Sequence, residues 1–505
     1  SITKTVLKEN SRKWVFWLLF PFKLLFSLPL LPLFYKTYKM GHPLANEMRT
    51  SVGRIREAFR KLRETLRLKN LIREFREGRE SLVSGKQVNS GLEIGGSPYV
   101  AGDPVGNNED VFFGREELIK SIRRQVVENG NVILLEGNRR AGKTSILHYL
   151  RGSTRIPGWL AVYCSLQGAK GSADNVGVPT EEIFREMAIS ISKGIAKIGI
   201  ECPLPNNKIL VPGEKFGIAK ACREGIGMEA PFADFREYLE TILEILEKNK
   251  LGLVLMTDEF DKLQEGIDNH VTSPQVPENI RSLIHQHPSF SAILTGSRRL
   301  KRLREEYWSA LFGLGTRVSV TALEQDDAIK LITEPVQGRL IFTNDAVEKV
   351  CFLTASQPYL TQCLCTRIFD LAARKNNTSI TVDVVNSAAI LLIENNEHFA
   401  SLWDYVRRDR RRFLLALFQK ESKSPDLLRL GIIQEKLLSY GIEVGDDSLS
   451  EDLEHLQELE LIKLTDEGDD GQYQLEVPLM GHWIQGQQDF DVLLSKARNE
   501  TEDQG

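Results

Sequence analysis

Residues 132–144 read VILLEGNRRAGKT. Val132 to Leu135 is a short apolar run of the kind a buried strand makes. The next eight residues, Gly137-Asn138-Arg139-Arg140-Ala141-Gly142-Lys143-Thr144, fit G-x-x-x-x-G-K-[ST] at every fixed position. The glycines let successive backbone N–H groups turn inward around phosphate oxygens. The apolar stretch that follows, Ser145 to Leu150, reads as a helix whose positive N-terminus points at the same anion. Strand, loop and helix in that order predict an α/β phosphate-binding core. Asn138, Arg139, Arg140, Ala141 and Ser145 are counted with the loop as ligand-binding positions.

Outward from this loop, two further strands end in polar residues. Residues 251–259, LGLVLMTDE, finish on Asp258 and Glu259. In a phosphate-loop core the lysine, here Lys143, reaches the β- and γ-phosphates. The Thr144 hydroxyl and a strand-end carboxylate, here Asp258, hold Mg²⁺. Glu259 stands next to it as the residue that would orient or deprotonate an attacking water. Residues 290–297, FSAILTGS, end in Thr295, Gly296 and Ser297, and Thr295 is expected between the acid pair and the γ-phosphate. Arg298, Arg299 and Arg317 follow, and Arg317 is taken as a finger that completes a neighbour's site. ATP or ADP with Mg²⁺ is the expected ligand.

The whole chain has 505 residues, 42% hydrophobic and 27% charged, with a net charge of −4. That length suits three to four domains. The balance excludes a disordered scaffold, a collagen-like fibre and a chain-wide polycation for nucleic acid. Six cysteines without a CxxC pair read as reduced thiols. The chain as given opens on Ser1 and reads as processed or trimmed. Residues 14–35 contain 17 apolar or aromatic residues in 22, interrupted by Pro21, Lys23, Pro29 and Pro32. A straight helix of that length would span about 33 Å, so the segment is expected to cross a membrane or lie in its surface. This places the chain at the inner face of the cell membrane. Residues 41–81 read as a basic amphipathic helix, with Val52, Ile55, Phe59, Leu62 and Leu66 forming a short heptad seam. An oligomerising helix, a stripe lying on anionic lipid and a solvated amphipathic connector fit it equally. Residues 82–110, rich in Gly, Ser, Asn and Pro, read as a linker.

Together these motifs resemble those of a STAND ATPase, the signal-transducing branch of the AAA+-like P-loop group. The opening Gly102-Asp103-Pro104-Val105, then Phe112-Phe113-Gly114-Arg115-Glu116, is similar to the family's "GxPV…FFGRE" box. The resemblance implies that Gly114 and Arg115 lie beside the adenine. Ser356-Gln357-Pro358-Tyr359-Leu360-Thr361-Gln362 is similar to a "GxP-hhxQ" element of the helical lid, which puts Pro358 against the base. Ser356 replaces the usual glycine there. The fold implied is an AAA+-like P-loop core at 111–320 with a helical lid at 321–402. The activity implied is slow ATP hydrolysis that resets a switch: ADP holds a closed monomer, and ATP favours an open homo-oligomer. Sensing and prokaryotic defence are the roles it suggests.

Residues 170–232 are longer than a plain strand-to-strand crossover needs and read as an insertion, with an amphipathic stretch at 180–197. From Trp403 the pattern is three helices (403–420, 426–439, 448–460) and two strands (461–465, 472–478), which is a winged helix over 403–488. Residues 489–505 read as an acidic tail. Residues 441–470 carry twelve Asp/Glu and one Lys, Lys463. That charge repels phosphate, so DNA binding is disfavoured and the winged helix reads as a regulatory or protein-contact module. A DNA-handling AAA+ ATPase of the initiator or transposition-regulator type is the alternative.

Overall fold

The structure, a computed structural model, describes residues 96–502 except 106–111, 130–131, 167–176, 211–216, 261, 297–314, 395–396, 423–427 and 466–470. The apolar run at 14–35, the basic helix at 41–81, Ser297, Arg298 and Arg299 lie outside the described residues. Among the described residues no helix is long and apolar enough to cross a membrane.

Among the described residues the first elements are helix α1 (Glu116–Asn129), strand β1 (Ile133–Glu136), helix α2 (Lys143–Leu150) and strand β2 (Trp159–Ser165). The insertion follows: α3 (Thr180–Lys197), a hairpin of β3 (Cys202–Pro203) and β4 (Ile209–Leu210), then α4 (Ile218–Gly225). Next come α5 (Pro231–Lys248), β5 (Gly252–Asp258), α6 (Lys262–Asp268), α7 (Val276–Gln286), β6 (Phe290–Gly296) and β7 (Thr316–Ser319). Five of the strands form one parallel sheet in the order β2-β5-β6-β1-β7.

The strand sequences explain why this sheet is covered on both faces. β1, β5 and β6 are nearly continuous apolar runs, as strands buried on both sides must be. Alternate residues point to opposite faces. Leu134, Leu253, Leu255 and Leu294 pack with α3, α5 and α7 on one face. Ile133, Leu135, Val254, Met256 and Ile293 pack with Ile119 and Ile122 of α1 and with Ile146 and Leu147 of α2 on the other.

Beyond the sheet the chain turns helical: α8 (Gln325–Thr333), α9 (Asn344–Thr354) and α10 (Pro358–Lys375), with a short pairing of β8 (Ile341–Phe342) and β9 (Ser379–Ile380), then α11 (Val382–Glu394). Pro358 opens α10, where its fixed φ suits the first helical turn and its missing N–H costs nothing. Ser356, the residue in place of glycine, sits at φ 52°. That left-handed conformation is the one glycine adopts freely, and here it is held by a bond from Leu323 N to Ser356 O at 3.0 Å. The C-terminal region comprises α12 (Glu397–Val406), α13 (Asp409–Glu421), α14 (Leu430–Ser439), α15 (Asp446–Glu458), the antiparallel pair β10 (Ile462–Thr465) and β11 (Gln472–Leu475), α16 (Pro478–Gln487) and α17 (Phe490–Glu502).

The structure adds to four sequence expectations. The helix expected at 403–420 is two helices, α12 and α13, broken where Arg407 takes φ 63°. The acidic tail at 489–505 contains helix α17, because Leu493 and Ala497, one turn apart, bury against the same core as α13. The boundary between lid and winged helix is not a break in packing: Ile332, Leu364, Phe399, Phe413 and Trp483 belong to one continuous apolar core. Residues 96–105 of the expected linker are built into the structure, because the Tyr99 ring is buried in that core.

Candidate functional site

The parallel register brings the polar strand ends to one edge. Leu135 of β1 lies opposite Thr295 of β6, and Thr257 of β5 lies opposite Leu294. β6 therefore stands between the strand that feeds the phosphate loop and the strand that ends in Asp258. Ligands of open α/β sheets bind outside this carboxyl edge.

The loop itself needs its glycines. A Cβ at Gly137 would lie 2.4 Å from Val320 O, and Gly142 has φ +99°. The Lys143 ammonium is folded over the loop, donating to Gly137 O at 2.7 Å and Asn138 O at 2.8 Å. Thr144 Oγ1 donates to Asp258 Oδ2 at 2.8 Å. Asp258 is buried and has three more donors: Tyr163 OH to Oδ2 at 3.2 Å, Glu259 N to Oδ1 at 3.1 Å, and the Thr295 hydroxyl to Oδ1. Glu259 N also lies 3.1 Å from Thr295 Oγ1. Glu259 itself sits at φ 53°, with Lys262 Nζ 2.6 Å from its Oε2. Thr144, Asp258, Glu259 and Thr295 are thus brought together. The fit to a nucleotide and a hard cation is good: the loop cannot take side chains at its tight turn, and the facing donors are a hydroxyl and a carboxylate oxygen.

The other expected site residues are distributed around this centre. Ser145 Oγ accepts a bond from Val105 N at 3.1 Å. The guanidinium of Arg115 is half-buried against backbone carbonyls, donating to Thr321 O, to Ala322 O at 3.4 Å and to Ala141 O at 3.4 Å. Burial lowers its pKa, and Asp327 and Glu324 nearby oppose that shift. A Cβ on Gly114 would meet Asp327 Oδ2 at 2.6 Å, and the φ of Gly114 is +71°. Pro358 Cγ lies 4.0 Å from the Cβ position of Gly142, so the first turn of α10 abuts the phosphate loop. Arg139 and Arg140 are exposed, and the Arg140 guanidinium stacks on the Tyr359 ring at 4.0 Å. Arg317 lies on the edge strand β7, exposed, with its Nε 3.8 Å from Glu136 Oε1.

Three contacts of the site are not read from the sequence. Tyr163 of β2 reads only as one more residue of a buried strand, and the strand register is what places it beside Asp258. Residues 99–105 form a strap that joins the lid to the loop. Its Tyr99 OH donates to Ile332 O, and Val100 N donates to Gln362 Oε1 at 2.7 Å, before Val105 reaches Ser145. Asn138 of the loop reaches the C-terminal region: its Nδ2 donates to Leu459 O at 3.0 Å, across 321 residues of sequence.

The chain matches no protein-family profile and no curated protein. Solved structures resemble it in shape. A Walker-type ATPase of Pyrococcus abyssi aligns with a TM-score of 0.52 at 18% identity, covering 76% of this chain and 98% of its own. The ORC2 protein of Aeropyrum pernix, in ADPNP–ADP complexes, aligns with a TM-score of 0.47 at 12% identity over 80% and 99%. The RuvB Holliday junction branch migration motor of Thermotoga maritima gives 0.36 at 14% identity over 72% and 92%. At 18% identity the likeness to the Pyrococcus abyssi structure is one of fold: a parallel α/β core followed by a helical C-terminal region.

Proposed function

We propose that this chain is a Mg²⁺-dependent ATP-binding and ATP-hydrolysing switch of the STAND type, with its C-terminal winged helix resting on the phosphate loop. The observation that carries this reading is the 3.0 Å bond from Asn138 to Leu459. Asn138 occupies a position that the motif leaves open, and it spends that freedom on a contact with the far end of the chain.

In this reading the loop N–H groups from Asn138 to Thr144, with Lys143, hold the phosphates, and Ser145 supports the strap beside them. Thr144 and Asp258 hold Mg²⁺. Gly114, Arg115 and Pro358 frame the base side. Bound Mg-ATP supplies the phosphoanhydride and the electrophilic assistance. Glu259 takes the proton from the attacking water, Thr295 orients the acid pair, and Arg317 acts on a neighbouring copy. The switch follows from one group with two uses. Lys143 donates to Asn138 O at 2.8 Å, and the side chain of that same residue holds Leu459. Recruiting the ammonium to a phosphate withdraws it from Asn138, so nucleotide binds the two arrangements with different affinity. The ATP form then opens and assembles into a homo-oligomer, and residues 14–35 hold the chain at the inner membrane face. Signalling or defence is the corresponding role.

The alternative of a DNA-handling ATPase is opposed by the charge on α15. Asp446, Asp447, Glu451 and Glu454 are exposed there, while Arg410 and Arg411 are buried in ion pairs. Salt-dependent DNA binding by the whole chain would favour that alternative. The switch is tested by hydrogen exchange over residues 459–475, with ADP and with ATP, alongside particle mass. ATP should raise exchange and mass together, and Asn138→Ala should raise exchange without nucleotide. Exchange that is unchanged by either would remove the winged helix from the switch.

A further inference from the structure

Asp258 is the point where the proposed metal site meets the sheet, and four donors hold it. Oδ1 takes the Thr295 hydroxyl and Glu259 N, and Oδ2 takes Thr144 at 2.8 Å and Tyr163 at 3.2 Å. Thr144, Thr295 and Glu259 belong to the phosphate loop and strand ends already described. Tyr163 belongs to none of these. It comes from β2, where it pairs with Met256 of β5, two residues short of Asp258.

The phenol is held rather than merely nearby. His148 lies one turn after Thr144 on α2, and its ring meets the Tyr163 ring edge-on, with centroids 4.5 Å apart and planes at 87°. One face of α2 thus supplies Thr144 to the carboxylate and His148 to the tyrosine that also bonds it.

We propose that Tyr163 is a positioning residue for Mg²⁺. Its hydroxyl fixes the rotation of the Asp258 carboxylate so that Oδ2 stays aligned with Thr144, and His148 fixes the phenol. Without the hydroxyl, Oδ2 keeps one donor and the carboxylate turns more freely about its last torsion. The cost falls on metal affinity and leaves the phosphate loop untouched. This rests on the reading of Thr144 and Asp258 as the metal-holding pair.

The test is Tyr163→Phe, which keeps the ring and its contact with His148. Affinity for a fluorescent ATP analogue is titrated against Mg²⁺ and repeated in EDTA. Losing one hydrogen bond to a charged group should raise the Mg²⁺ concentration at half-effect roughly tenfold, with affinity in EDTA unchanged. Mn²⁺ binding in the presence of the analogue, followed by electron paramagnetic resonance, should weaken by the same factor. His148→Ala should shift the metal titration in the same direction and by less. A Tyr163→Phe protein with the parent's Mg²⁺ dependence, or a stronger affinity for the metal, would overturn the assignment. So would equal losses with and without metal, which mark a general structural defect. A parent protein with no Mg²⁺ dependence at all would instead overturn the metal-holding role of Thr144 and Asp258.

Discussion

Two buried aspartates in this molecule are satisfied in opposite ways. Asp258, at the carboxyl edge of the sheet, is 5% exposed, and its four donors are three hydroxyls and one backbone N–H. Asp452, in the middle of α15, is fully buried. It is clamped by Arg410 Nε at 2.5 Å and Arg411 Nε at 2.6 Å, with Arg408 at 3.6 Å. The guanidinium groups neutralise Asp452 within the fold. The neutral donors hold Asp258 in place without cancelling its charge. A buried anion is costly unless something compensates it. Where the fold supplies the cation, the carboxylate is structural. Where it supplies only geometry, the proposed reading has the carboxylate take a cation from outside.

The largest effect expected from this contrast lies beside Asp258. Glu259→Gln keeps the shape of the side chain and removes the base. ATP should still bind, and turnover should fall about 10²–10⁴-fold. The trapped ATP form should collect as the assembled species in mass measurements. Turnover at the parent rate would leave Glu259 without a catalytic part.

Breaking the other aspartate should cost stability rather than activity. Asp452→Asn leaves buried Arg410 without its anion and Arg411 with Glu451 alone, at 3.1 Å, and should destabilise the chain by about 3–5 kcal/mol, read from urea denaturation. Asp258→Asn, which removes an anion held by neutral donors, should change the midpoint by less than about 1 kcal/mol. Equal losses in the two variants would break the contrast.

A third buried group sharpens it. His398 lies beside Tyr359, with ring centroids 5.2 Å apart. Burial, with Arg140 and Arg139 adding repulsion, depresses its pKa to about 3. Between about pH 6.5 and that value the unfolded chain takes a proton that the folded chain refuses. Stability present above pH 6.5 is therefore lost as the pH falls through this window. His398→Gln should reduce the difference in unfolding free energy between pH 7 and pH 4.5 by about 2 kcal/mol. An unchanged difference would show that His398 accepts its proton in place.

The smallest expected effect is at the other end of the chain. Deleting residues 1–40 should leave ATP affinity unchanged, since Lys143, Thr144 and Asp258 are held by the sheet and by residues from Tyr99 onward. A large loss of affinity would make the N-terminal segment part of the site.

The loop at 137–144 and the acid at Asp258 could be read from sequence because each depends on residues adjacent along the chain. A phosphate loop is a local turn, and a strand that ends in Asp is a local pattern. The rest depends on register and long-range packing, which local patterns do not encode. Tyr163 matters only because β2 pairs with β5 in one particular register. Asn138 looks like any variable loop residue until the end of α15 arrives beside it. The strap at 99–105 reads as linker from its composition despite the Gly102–Val105 box, yet one buried tyrosine ties it to α8. α17 was hidden by its charges, since Asp491, Lys496, Arg498 and Glu500 obscure the apolar spacing of Leu493 and Ala497.

On the proposed reading, Asp258 is an anion awaiting a metal-bound nucleotide. Calorimetric titration of ATP into the parent and into Asp258→Asn, each with Mg²⁺ and with EDTA, tests it most directly. The parent should bind ATP at least tenfold more tightly with Mg²⁺, a difference of about 1.4 kcal/mol. Asp258→Asn should bind equally well in both conditions, at the parent's EDTA level. A parent that binds no ATP, or a variant that keeps the full Mg²⁺ enhancement, would contradict it.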